Sequence, residues 1–427
     1  MKKVYKGWTE LYEVPDQKVK ELKYNLTFVT NFEKQSTQIT AFKELPNGIA
    51  VPRYYLPGSN AEISGTTGKS IKANFTGKLR ADQLKALESF WIPNSSGIIV
   101  VACGFGKTVL GLYLTCEHKL KTAIIVDAKA LADQWIEEIS IFTDLKAGLV
   151  CGKKRELEND IVIFMAQTLN AHPLTEAQAS EFGFIIVDEA DKFSANSFNK
   201  VIGQFPGKLR LGLTATEHRG DGLTKVFKWH LGPVLYRNTD WKNNPTILKV
   251  LTNINISCNT RTPRFVAIRR QVRNSTRNKK IVEILKNCFQ QGRQILVLSD
   301  RIKHLEELES FLRQEIPAEE VGLFVGSAKR SDIPKGSIIL STYKKAERGL
   351  SINRLNTLVL STARANTIQM AGRIVRKLHE ITPLVIDLVD DGPYYRTQWS
   401  SRARRYNELA WPIYEYDLET KEKKRLK

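Results

Sequence analysis

The chain has 427 residues, with 65 Lys and Arg against 45 Asp and Glu and a formal net charge of +20. Such an excess favours polyanionic partners, nucleic acid first, because basic surfaces attract phosphate backbones. Hydrophobic residues make up 42% of the sequence, enough for several cores and, at this length, about two or three domains. No apolar run approaches the ~20 residues of a membrane span, and the opening MKKVYKGWTELYEV has no apolar signal core. The 5 cysteines stand singly, without a CxxC pair. That argues against a disulfide framework or a zinc site and fits a reducing cytoplasm.

Residues 1–76 show short apolar-polar alternations, at Tyr24–Val29 and Ile49–Leu56, and no helical period. Turn signals at Pro46-Asn47-Gly48, Pro57-Gly58-Ser59 and Ser64–Gly68 separate them. This predicts a small β-rich accessory module, with basic and aromatic residues interleaved. It either contacts DNA or only packs against its neighbour. From Leu79 a helix is expected through Phe90, followed by apolar strands at Ile98–Val101, Ala123–Asp127, Ile161–Met165, Phe184–Val187 and Leu209–Leu213. Amphipathic helices alternate with them, the pattern of a mostly parallel sheet covered on both faces. This first α/β domain is assigned to residues 77–240. Residues 241–280, dense in arginine, are expected to be a basic linker. A second α/β alternation, over 281–393, has strands at Gln294–Ser299, Ser337–Ser341, Thr357–Ser361 and Leu384–Leu388. A basic, aromatic tail, 394–427, is either a solvated or a binding segment.

The stretch Ile98 to Thr115, IIVVACGFGKTVLGLYLT, carries the first chemistry. A buried strand breaks into glycine-rich Gly104-Phe105-Gly106-Lys107-Thr108, and an apolar helix follows. In that order a glycine loop turns its backbone N–H groups around an anion, and the helix adds its positive dipole end. Lys107 can then reach the β- and γ-phosphates of a nucleotide, and the Thr108 hydroxyl can ligate Mg²⁺. A second apolar strand delivers Asp188-Glu189-Ala190-Asp191 at its carboxyl end, where ligands bind in open parallel sheets. Asp188 can hold Mg²⁺ and Glu189 can orient and deprotonate the attacking water. Further on, Gln369, Arg373 and Arg376 recur at spacings of four and three. On a helix they would share one face and supply cations to the developing phosphoryl charge.

Together these motifs make the chain similar to a helicase of superfamily 2, over roughly residues 77–390. Arg80 and Gln83 resemble the residues that read adenine. Gly104 to Thr108 resemble Walker A, and Asp188 to Asp191 resemble Walker B in its DEAD spelling. Thr214-Ala215-Thr216 resemble motif III, which couples hydrolysis to movement. Ala128-Lys129 and Gln134-Trp135 sit where motif Ia contacts the DNA backbone, and Thr168 resembles a further strand contact. Ser299 and Asp300 close a motif IV-like strand. Ser341-Thr342-Tyr343 through Glu347-Arg348-Gly349-Leu350-Ser351 look like motif V, and Gln369 to Arg376 like motif VI. The DEAD-box glutamine motif is absent, and motif VI reads QMAGRIVR. Both features resemble the XPB/UvsW-like branch, which acts on duplex DNA, and the small size resembles phage fork-remodelling helicases. Glu217–Gly222, around Arg219, resembles the Arg-Glu-Asp element of XPB, with a glycine in place of its middle acid.

The resemblance implies an α/β fold of two tandem RecA-like parallel-sheet domains with a small N-terminal β-rich module. It implies ATP and Mg²⁺ as cofactors, with ATP held between Walker A and Arg373/Arg376. It also implies a DNA helicase or translocase that works as a monomer on forked or branched duplex in replication, recombination or repair, in the host cytoplasm if phage-encoded. An RNA helicase and the motor subunit of a larger complex are the alternatives. The N-terminal module, the segment near Arg219 and the tail with Trp399 and Trp411 are candidate strand-separating elements.

Overall fold

The computed structural model describes residues 2–32, 35–56, 66–90, 96–102, 104–190, 193–215, 224–238, 244–347, 352–365, 367–375 and 380–426. The chain divides into two compact units, Met1–Thr239 and Asp240–Lys427.

The first unit opens with β1 (Lys2–Tyr5), β2 (Thr9–Tyr12), β3 (Thr27–Phe32), β4 (Gln35–Thr40), β5 (Lys43–Leu45) and β6 (Gly48–Val51). Four of them form an antiparallel sheet in the order β1-β2-β6-β5, and β3 and β4 pair as a separate hairpin. A helix, Asp16–Asn25, lies between β2 and β3, where no helix is legible in the sequence. It buries only Leu22 and so lacks an apolar stripe to betray it. The module's core is Leu11, Leu22, Leu26, Ile49 and Val51.

Two fully buried arginines fasten this module to the rest of the unit, and the acceptors are backbone carbonyls. Arg53 Nη1 donates to Gly207 O at 2.7 Å, and its Nη2 donates to Lys6 O at 2.5 Å and Pro206 O at 3.1 Å. Arg210 Nη2 donates to Gly7 O and Phe205 O, both at 2.8 Å, and its Nη1 to His230 O at 2.9 Å. Burial pushes the Arg53 guanidinium down to about 10. Burial, and then the charge of Arg53, holds Arg210 well below its ordinary range.

The unit's larger sheet holds β7 (Gly97–Val101), β8 (Thr122–Val126), β9 (Ala147–Cys151), β10 (Lys154–Arg155), β11 (Ile161–Met165), β12 (Phe184–Asp188), β13 (Leu209–Thr214) and β14 (Val234–Asn238). Its order is β10-β9-β11-β8-β12-β13-β7-β14. Pairing is parallel except between β9 and β10. β7, β8, β11, β12 and β13 are buried along their whole length, and the first four read as apolar runs, whereas β13 buries Arg210 among its leucines. β9 and β14 lie toward the margins, carry partly exposed residues and give no such run.

The second unit holds β15 (Thr246–Asn255), β16 (Ile295–Ser299), β17 (Val321–Phe324), β18 (Ile338–Thr342), β19 (Thr357–Leu360), β20 (Leu384–Asp391), β21 (Ile413–Asp417) and β22 (Lys423–Arg425), ordered β17-β18-β16-β19-β20-β15-β21-β22. Two segments are more structured than their sequences suggest. Within the expected linker, the described residues 244–280 are part of the second domain: β15 pairs with both β20 and β21 inside the sheet, and the helices Arg264–Val272 and Ser275–Gln290 begin there. The tail is not a free appendage either. It forms the helix Pro393–Glu408 and then β21 and β22, with Tyr406 and Trp411 fully buried and Trp399 packed against the same core. Arg402 of this basic segment is buried against Asp387 through contacts of 2.7 Å from Nε and Nη2. Trp411 is therefore unavailable as a strand-separating wedge.

At the carboxyl edge of this sheet lies a buried polar network. Arg277 Nε donates to both Asp390 oxygens at 2.7 and 2.9 Å, and Thr252 Oγ1 donates to Asp390 Oδ1 at 2.7 Å. His304, 2% exposed, joins Ser299 Oγ at 2.9 Å to Asn278 Oδ1 at 3.0 Å. With Nε2 facing that amide oxygen, the neutral ring donates there and accepts from Ser299. Burial, and then the charge of Arg277, hold the His304 pKa down at about 3, while an unfolded histidine titrates near ~6.5. The folded ring thus stays neutral where the unfolded one takes up a proton. Its contribution to stability is present above pH ~6.5 and is lost as pH falls toward 3, at about 1.4 kcal/mol per pH unit. The unfolding free energy from denaturant titration should fall between pH 6 and pH 5, with the likewise depressed His118 and His230 adding to the fall, and His304→Gln should make the slope shallower by at most about 1.4 kcal/mol per pH unit. An unchanged slope in the variant would contradict the assignment.

Candidate nucleotide-hydrolysis site

β12, β13 and β7 are consecutive in the first unit's sheet and parallel, so their carboxyl ends open on the same edge. β7 leads into the glycine loop. Gly104 and Gly106 have φ of +84° and +83°, and the helix Lys107–His118 starts directly after them. A side chain at position 106 would be strained by that φ and would bring its Cβ within 2.5 Å of Gln83 Nε2. The loop's carbonyls are held from the side of the upstream helix Ala81–Phe90. Gln83 Nε2 donates to Phe105 O at 3.1 Å and Gly106 O at 3.3 Å. Arg80 Nη2 donates to Gly104 O at 3.1 Å and also to Phe105 O. The Phe105 ring is buried, 6.2 Å from Tyr236, so Phe105 serves the loop through its backbone.

Lys107 and Glu189 form the charged centre, with Nζ 3.6 Å from Oε1 and side chains 12% and 20% exposed. Glu189 sits at φ +50°, a left-handed conformation uncommon outside glycine. Its N–H donates to Asp188 Oδ1 at 2.9 Å, and its Oε2 is buried without a hydrogen-bond partner among the described residues. Asp188 is 4% exposed, and its Oδ2 accepts from Trp135 Nε1 at 2.9 Å. Burial, and then the neighbouring Glu189 charge, push the Asp188 carboxyl up to about 7, against the opposing effects of Lys107 and the indole. The Thr108 residue is 7% exposed at the start of the loop helix. Thr214 closes β13, opposite Val100 of β7, and is 4% exposed; Ala215 follows it.

This donor set fits a nucleotide with a divalent cation. Left-handed glycines line an N–H-rich loop, a desolvated carboxylate lacks sufficient countercharge, and one oxygen of Glu189 is orphaned. Lys107 and the loop would hold the phosphates, and Thr108 and Asp188 the cation, which would supply charge neutralisation.

Other predicted residues stand elsewhere. Trp135 is fully buried, so it cannot touch a DNA backbone; its apolar ring fills the first core and its N–H serves Asp188. That role is not legible from the sequence, although a buried indole N–H usually finds an acceptor. Ala128 caps the helix Lys129–Phe142, Lys129 pairs with Asp133, and Gln134 Nε2 donates to Glu138 at 2.7 Å. Thr168, 8% exposed, accepts from Gly152 N at 2.9 Å. In the second unit, Ser299 is fully buried against His304, and Tyr343 is 1% exposed with its hydroxyl donating to Thr362 O at 2.8 Å. Neither is placed for a backbone contact. Asp300 Oδ2 accepts from Arg264 Nη2 at 2.8 Å, and Thr342 Oγ1 accepts from Lys345 N at 3.2 Å. Gln369 and Arg373 do not share the helical face expected of them. The helix Ile368–Ala371 is a single turn ending at Gly372, and Arg373 N and Ile374 N bond three residues back. Arg373 Nη2 donates to Glu347 O at 2.9 Å. Thr216, Arg219, Gly349 and Arg376 lie outside the described residues.

Fold and site define a phosphate-loop nucleotide-hydrolysing protein, and comparison with known proteins narrows the class. Residues 76–219 match the family described as type III restriction enzyme, res subunit. A protein of Acanthamoeba polyphaga mimivirus, named provisionally as an ATP-dependent RNA helicase, is 30% identical over 440 residues, covering 94% of this chain and 84% of that one. The DNA 3'-5' translocase XPB2 of Sulfurisphaera tokodaii is 31% identical over 162 residues, 38% of this chain and 36% of its own length. Among solved structures, S. cerevisiae Dbp5 bound to RNA and ADP BeF3 shares the fold, with a TM-score of 0.57 at 15% identity, covering 81% of this chain and 91% of that one. The chain belongs to the superfamily 2 helicases and is an ATP-hydrolysing enzyme.

If Trp135 positions Asp188, Trp135→Phe keeps the packing and removes one hydrogen bond. The expected result is a fall in kcat of about tenfold, the cost of ~1.4 kcal/mol, with nucleic-acid affinity unchanged. A loss of affinity at constant kcat would instead restore a strand-contact role.

Proposed function

We propose that the chain is an ATP-driven translocase on duplex or branched DNA, producing branch migration, fork regression and limited unwinding. The observation that carries the reading is the Lys107–Glu189–Asp188 cluster at the carboxyl ends of β7 and β12, which flank β13 in one sheet, in a chain of net charge +20. In this reading Glu189 takes the proton of the attacking water, Lys107 neutralises phosphate charge, and Trp135 fixes Asp188. Arg373 and Arg376 supply the cations for the developing phosphoryl oxygens. Thr214, Ala215 and Thr216 pass the change to movement. The cofactors are ATP and Mg²⁺. Ala128, Lys129, Gln134, Thr168 and Thr342 are proposed to serve the strand-contacting segments, through backbone groups where their side chains are engaged.

The choice of DNA is supported by the XPB2 relative, by the absent glutamine motif and by motif VI in the form QMAGRIVR. The mimivirus relative's name favours RNA, so the test includes both. Backbone contacts carry no sequence information, so binding should be independent of sequence and weaken steeply with salt.

ATP turnover should rise most with forked DNA or a four-way junction, less with plain duplex and least with RNA, all at one salt concentration. Lys107→Ala should abolish turnover while DNA binding survives. Stimulation by RNA above that by any DNA would overturn the choice of polymer, and turnover surviving in Lys107→Ala would overturn the site.

A further inference from the structure

Between Asn255 and Val282 the sequence has 6 Arg and 2 Lys and no Asp or Glu. Arg277 is buried against Asp390, but most of the others reach solvent. The helix Arg264–Val272 buries Ala267, Ile268 and Gln271. Its opposite side carries Phe265, Arg269 and, at the cap, Arg273, spaced four residues apart and so on one face. All three are exposed, and Phe265 is 62% exposed. Beside the helix is a cavity of about 470 Å³, lined by Thr262 and Arg270 of this segment together with Asn255, Asn259 and Arg396. It lies where β15 and β20 end, with Asn255 paired to Asp391, at the carboxyl edge where open parallel sheets receive ligands. Asp391 also lines it, and its charge is met by Arg396 at 2.5 Å.

A face that sets an aromatic ring among guanidinium groups suits a polyanion that also offers flat rings. A duplex hides the faces of its bases, whereas an unpaired strand presents them for stacking on aromatic side chains. We propose that this helix and its cavity bind an unpaired strand of nucleic acid, with Arg269, Arg270 and Arg273 on its phosphates and one base stacked on Phe265. The site lies outside the helicase motifs and rests on the reading that the protein acts on nucleic acid. At a fork it would hold the strand released from the duplex.

The test uses the full chain, a fluorescent oligo(dT) and a blunt duplex. Phe265→Ala should weaken oligo(dT) binding roughly tenfold, as expected for loss of one base–aromatic stack, and leave duplex binding unchanged, while Phe265→Trp should retain it. Arg269→Gln with Arg273→Gln should lower the salt slope of oligo(dT) binding by about 1.4, at ~0.7 per phosphate contact. If the wild type binds oligo(dT) and Phe265→Ala binds it equally, the site is overturned while the nucleic-acid reading stands. Equal losses on both polymers would overturn the unpaired strand as ligand. A changed sedimentation coefficient with unchanged binding would assign the face to a protein contact and overturn the site. If the wild type binds neither polymer, the broader reading falls, and this one with it.

Discussion

Two carboxylates and one ammonium are crowded at the carboxyl end of the first unit's sheet, and much of that unit serves to keep them there. Asp188 has almost no solvent, so its charge is held by what touches it: the Trp135 indole, the Glu189 N–H and the field of Lys107. A residue this desolvated favours its protonated form unless a cation stands beside it, so the site is biased toward taking one up. The left-handed backbone at Glu189 and the orphaned Oε2 belong to the same arrangement. Strain and an unmet acceptor beside a phosphate loop make sense where a water and a nucleotide complete the set.

Support for this cluster comes from the packing behind it. The loop's conformation is fixed from upstream by Arg80 and Gln83, which take up its carbonyls. The N-terminal module is tied to the same unit by Arg53 and Arg210, whose Nη groups donate to backbone carbonyls. In the second unit, Asp390–Arg277 and Asp387–Arg402 are buried pairs that pin helices to β20. Breaking such a pair by removing one partner leaves an uncompensated charge, so these contacts fix geometry more than they add net stability.

Residues buried on both faces of a sheet were legible because parallel strands read as apolar runs; hence β7, β8, β11 and β12, and the glycine loop and acidic turn at their ends. Elements that bury charge or little at all were not. The helix Asp16–Asn25 shows no stripe, and the segments around Arg277 and Arg402 looked like linker and tail because their arginines pair with aspartates more than 100 residues or one helix away. Motif resemblance placed Trp135, Ser299 and Tyr343 on a nucleic-acid surface, yet all three are interior. Sequence position marks the segment that meets a ligand and does not say which side chain turns inward. Gly372 likewise ends the motif VI helix after one turn, which spacing alone could not reveal.

Glu189→Gln tests the centre of this account most directly, because it preserves shape and removes only the base. Nucleotide affinity, measured by titration with a fluorescent ATP analogue, should stay near that of the wild type while single-turnover hydrolysis falls by about a hundredfold or more. Hydrolysis at the wild-type rate in that variant would show that Glu189 does not handle the water, and the chemistry assigned to the acidic turn would be wrong.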